Sequence, residues 1–91
     1  MTTKNKPLPP PQNIKLPLKV IREEGQVCPD GVVIKINWDD FVVGASLFIP
    51  AINLTELNKQ MQIIANVKNI KLKGFDRIEA GKLGMRFWRI V

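Results

Sequence analysis

The chain has 91 residues, with 14 Lys and Arg against 8 Asp and Glu, no His and one Cys. That length builds one small domain. A single Cys excludes an internal disulfide framework, and with no His it also excludes a Cys/His zinc site and every Ser-His, Cys-His or His-metal mechanism. No apolar run approaches the roughly 20 residues that cross a bilayer. Met1–Pro11 has lysines with no apolar stretch behind them, so no secretory signal and no membrane partner are expected.

The net charge of +6 is unevenly placed. Residues 1–22 hold five basic groups and no acid, and residues 23–40 hold Lys35 against five acids. Residues 68–91 hold seven basic groups against Asp76 and Glu79. Two basic ends around an acidic middle favour a polyanionic partner.

Residues 1–13 form a proline-rich arm, expected to be extended, and residues 14–91 a single α+β domain. Ile14 to Ile21 alternates apolar and other residues, which predicts an extended segment, with Pro17 placing it at an edge. Arg22 to Asp30 reads as a loop. Gly31 to Trp38 predicts a strand with Val32, Ile34, Ile36 and Trp38 on one face. Ala45 to Ile49 predicts a short buried strand closed by Pro50.

Asn53 with Glu56 three residues on has the spacing of a helix cap, and predicts a helix to about Lys68. Leu54, Leu57, Met61, Ile64 and Ala65 fall on one stripe and form its buried face. Asn58, Lys59, Gln62 and Asn66 fall on a polar arc, and Ile63 and Val67 lie opposite the stripe. Ile70 to Glu79 and Met85 to Val91 predict two strands joined across Ala80–Gly84 as a hairpin. The last strand has apolar residues on both faces, which predicts a central position. The fold expected is a small antiparallel sheet with one helix packed on a face and a C-terminal β-hairpin.

Val43-Gly44-Ala45-Ser46-Leu47-Phe48-Ile49-Pro50 resembles the VGxSFFVP segment of a group of small, mostly uncharacterised tailed-phage proteins. Gly84-Met85-Arg86-Phe87-Trp88-Arg89-Ile90 resembles their closing GVRVWRI. The helix between these motifs, the strand starting at Phe75 and the Pro-Leu-Pro at Pro7 to Pro9 are similar too. The resemblance covers residues 41–91. It implies a phage origin, a strand-helix-hairpin core and the cytoplasm of an infected bacterium as the place of action. It supplies no activity.

Three surfaces are candidates for nucleic acid. The hairpin offers Lys71, Lys73, Arg77, Lys82, Arg86 and Arg89, of which Lys71, Lys73 and Arg77 share a side by alternation. Arg86 and Arg89 fall on opposite faces. The helix arc Asn58, Lys59, Gln62 and Asn66 offers amides and an ammonium suited to base edges and phosphates. The arm adds Lys4, Lys6, Lys15 and Lys19. Phe75, Trp88 and Trp38 are expected in the core before they are expected to stack on bases.

Catalysis is not expected. Asp39-Asp40 and Glu23-Glu24 are neighbours in sequence, so on a strand each pair would point to opposite faces. The glycine spacing fits no phosphate loop. No cofactor and no metal are implied. The function expected is non-catalytic binding of nucleic acid, DNA in the first place, through phosphate contacts. The alternative is an accessory or host-takeover protein that binds a host or phage protein through Ile63 and Val67, the proline-rich arm and the acidic middle segment, with Ile63 and Val67 also able to meet a second copy.

Overall fold

A computed structural model describes residues 18–91. The proline-rich arm and the first half of the predicted Ile14–Ile21 segment lie outside those residues. The elements run α1 (Leu18–Glu24), a single 3-10 turn (Trp38–Asp40), β1 (Ser46–Pro50), α2 (Leu54–Lys68), β2 (Leu72–Glu79) and β3 (Lys82–Arg89). The three strands form one antiparallel sheet in the order β1-β3-β2. The α+β class, the C-terminal hairpin and the central last strand are as the sequence predicts.

Helix α2 forms where its cap spacing places it. The Asn53 side chain accepts from the Glu56 N–H at 3.1 Å, which satisfies one of the donors a helix start leaves open. Asn69, in the left-handed conformation, closes the other end. Leu57, Met61, Ile64 and Ala65 are buried and Leu54 is partly so. They pack on Ile49, Leu72, Met85 and Phe87, which are the inward residues of the sheet. Ile63 is partly buried and Val67 exposed, with α1 alongside.

Two segments depart from the sequence reading. Leu18–Ile21, predicted as extended, and Arg22–Glu24, read as the start of a loop, together form α1. Leu18 and Ile21 are three apart, a helical spacing that competes with the period-two pattern, and only Ile21 is buried. Gly25, at φ +68°, ends the helix, its N–H donating to the Ile21 carbonyl. The Trp38 indole N–H donates to the Gly25 carbonyl at 2.8 Å. A side chain at Gly25 would run into that ring.

Gly31–Trp38, predicted as a strand, makes only an isolated bridge between Val27 and Ile34. Its alternation survives from Val33 on: Ile34, Ile36 and Trp38 are partly buried while Val33, Lys35 and Asn37 are exposed, but Val32, predicted on the buried face, is exposed as well. What it lacks is a partner strand, because the preceding turn is fastened to α2. Gln60, 1% exposed, accepts from the Cys28 N–H at 2.7 Å and donates to Glu56 at 2.8 Å. Asp30 accepts from the N–H groups of Ile52 and Asn53 at 2.8 and 2.9 Å. These bonds hold residues 28–30 against the start of the helix rather than beside the sheet.

Gln60 is the buried polar residue of that attachment, and Asp30 its exposed one. Gln60→Leu should lower stability by about 1–3 kcal/mol, the cost of a buried N–H deprived of its acceptor. Urea denaturation of the full chain measures it, and a loss under about 0.5 kcal/mol would show that the Cys28 bond contributes little.

Candidate nucleic-acid interface

The sheet has an inner face, against α2, and an outer face. The register assigns residues to each. Lys73, Phe75, Arg77 and Glu79 of β2 pair with Trp88, Arg86, Gly84 and Lys82 of β3. Ser46, Phe48 and Pro50 of β1 pair with Trp88, Arg86 and Gly84. Met85 and Phe87 are buried on the inner face, so all the residues in these two sets point outward. The ladder continues through the Lys71 carbonyl, which accepts from the Ile90 N–H, and alternation carries Lys71 outward too.

Among the described residues the strands thus gather Lys71, Lys73, Arg77, Lys82 and Arg86 on the outer face against one carboxylate, Glu79. Arg86 is not a free cation. Its Nε and Nη2 donate to both oxygens of Glu79 at 2.7 Å, and its Nη1 donates to Ser46 Oγ at 2.8 Å. Arg77 Nε lies 3.3 Å from the same carboxylate. The Arg86 hydrogen bonds hold the Glu79 carboxyl below the usual carboxylate range, against a smaller opposing effect of desolvation, and raise the Arg86 guanidinium in turn. One acid shared by two arginines still leaves the face cationic.

Gly84 is what lets this face form. A Cβ there would collide with the Ile49 carbonyl oxygen, the Phe48 ring and the Pro50 Cα. Only glycine lets β1 approach β3 this closely. Residues 43–50 and 84–90 are thus largely the two sides of one strand pair.

The other predicted residues lie elsewhere. Arg89 faces inward; its Nη1 donates to the Phe41 carbonyl at 3.0 Å and its Nε to the Val91 carbonyl at 2.9 Å. Asn58, Lys59, Gln62 and Asn66 are on α2, across the sheet from the outer face. Gln62 donates weakly to Asn58 at 3.4 Å and to the Leu72 carbonyl at 3.5 Å. Asn58 also shares a shallow recess with Asp76, an anion that disfavours phosphate there. The hairpin and the helix arc cannot grip one strand of nucleic acid together. Ile63, Val67, Leu18 and Arg22 line a separate shallow groove of about 290 Å³ between the helices.

Phe75 and Trp88, expected in the core, are on the outer face. Phe75 is 49% exposed and Trp88 half-buried, with their rings edge-to-face at 5.6 Å. Phe48, whose ring lies over Gly84, joins them there, although nothing in its apolar run sets it apart from a core residue. Trp38 packs at the margin of the core, 5.7 Å from Phe41, with the Lys68 ammonium 5.3 Å above its ring.

No known protein family matches the chain, and no curated protein or solved structure does.

Proposed function

We propose that this chain is a small basic phage protein that binds DNA through phosphate contacts and catalyses no reaction. The observation that supports the reading is the outer face of the sheet, where among the described residues five cations stand with a single acid, Glu79, which pairs with Arg86 and Arg77. A flat array of lysines and arginines on a rigid sheet meets a phosphate backbone with little ordering of its own, and releases counterions on contact.

The triple charge reversal Lys71→Glu, Lys73→Glu and Arg77→Glu should weaken oligonucleotide binding. It should also flatten the dependence of log K on log salt by roughly 2–3, about 0.9 for each duplex phosphate no longer neutralised. Fluorescence anisotropy at several salt concentrations measures both. Unchanged binding would remove the hairpin from the interface.

Glu79 restrains the same face. Glu79→Gln should tighten binding by releasing Arg77 and Arg86, and looser or equal binding would contradict the shared-acid arrangement. Because its folded-state pKa is depressed, Glu79 contributes stability above its unfolded value, and that contribution is lost as pH falls through the lowered folded one. The variant should therefore show a shallower loss of stability on acidification, read by thermal melts from neutral to acid pH.

A second reading, a protein partner, is favoured by one observation. Ile78 and Leu83 face each other across the hairpin on the inner side, 73% and 42% exposed. The Ala51 N–H donates to the Leu83 carbonyl, and the next residue, Ile52, is 81% exposed. This apolar patch lies on the opposite side of the sheet from the cations, so the two readings use different surfaces.

A further inference from the structure

We propose that the DNA bound is single-stranded, and that Phe75, Trp88 and Phe48 form a stacking platform for its unpaired bases. This rests on the DNA-binding reading above and specifies it. Phe75 and Phe48 both pair with Arg86, so the two rings stand on opposite sides of the central strand, about 10 Å apart at the usual strand spacing. Trp88, diagonal to Phe75, extends the first station. None of the three belongs to the core that α2 covers. Apart from the Phe75–Trp88 edge-to-face contact and the 34–41 segment beside Phe48, no element among the described residues covers these rings, and unpaired bases are flat, apolar-faced groups that would cover them. Duplex DNA keeps its bases stacked on one another and presents only edges and phosphates to such a face.

The cations stand where the linking phosphates would run. Lys73 is adjacent to both rings of the first station, its ammonium 5.9 Å from the Phe75 centroid. At that distance the cation–π attraction is weak, so the ammonium can swing to a phosphate while a base takes the ring face. Arg77 and Lys82 continue the cationic track toward the hairpin end. Arg86, between the stations, is fixed by Glu79 and Ser46.

The test uses the full chain with three labelled probes: a 20-mer of deoxythymidine, a 20-base-pair duplex and a 20-mer of uridine. The deoxythymidine strand should bind about tenfold tighter than the duplex at equal salt and quench tryptophan fluorescence. Phe75→Leu, at a half-exposed position and checked for folding by circular dichroism, should weaken single-strand binding about fivefold or more. Its duplex affinity should change less than twofold. A duplex preference, or a Phe75→Leu variant that binds the single strand as wild type does, would overturn the platform. If Lys73→Glu with Arg77→Glu still weakened both DNA probes, the phosphate-binding reading would survive that failure. Tighter binding of uridine would overturn the assignment to DNA. Failure of every probe to bind at low salt would remove both readings together.

Discussion

The structure depends on a mismatch between one helix and one sheet. Helix α2 has 15 residues, a rod of about 22 Å, and a single apolar stripe. It can cover one side of a three-stranded sheet and no more. The other helix, α1, packs beside α2 rather than on the far side of the strands. Among the described residues no helix covers the outward residues of β1, β2 and β3, of which Lys73, Phe75 and Arg77 are exposed and Phe48, Arg86 and Trp88 partly buried. Selection for solubility alone would place small polar and charged groups there. Three aromatic rings and a surplus of cations stand there instead, and the proposed DNA contact rests on that departure.

The central strand ties these features together. β3 carries Met85 and Phe87 into the core and Arg86 and Trp88 outward, so each residue step alternates between holding the fold and presenting the face. Gly84 brings β1 close enough for Phe48 to lie over the strand. Arg86 bridges from Ser46 on β1 to Glu79 at the end of β2, bracing the outer face laterally. The Glu79 carboxylate has a double effect. It orders two arginine side chains, and it reduces the charge the face offers a phosphate.

Much of the fold was legible in the sequence because local signals agreed with the tertiary outcome. The Asn53–Glu56 spacing, the buried stripe of α2, Pro50 and the two-sided pattern of the last strand all pointed the same way. The Gly31–Trp38 segment failed for a non-local reason. Its alternation was genuine, but Gln60 and Asp30 bind the turn before it to α2, and nothing in the period-two pattern reports a side chain 32 residues away. Leu18–Ile21 failed because an alternating pattern of four residues also contains a three-residue repeat.

The interface was half legible. Alternation placed Lys71, Lys73 and Arg77 together and separated Arg86 from Arg89. The glycine spacing suggests a five-residue hairpin connection, Ala80–Gly84, whereas the turn is Ala80-Gly81 with both residues at positive φ. A two-residue turn fixes the register, and with it Glu79 opposite Lys82 and Phe75 opposite Arg86. Without that register, neither the acid shared by the arginines nor the aromatic row could be seen. Ala80 hides the shorter turn, because a non-glycine residue seldom takes the left-handed region.

The most direct test of the central claim is a titration of the isotope-labelled full chain with a deoxythymidine oligonucleotide, followed by backbone and aromatic NMR shifts. The account predicts perturbations concentrated on Lys73, Phe75, Arg86, Trp88 and Phe48, with Lys59 and Asn66 on α2 unaffected. Perturbations centred on α2, or on the Ile78–Leu83 patch with the outer face silent, would contradict it.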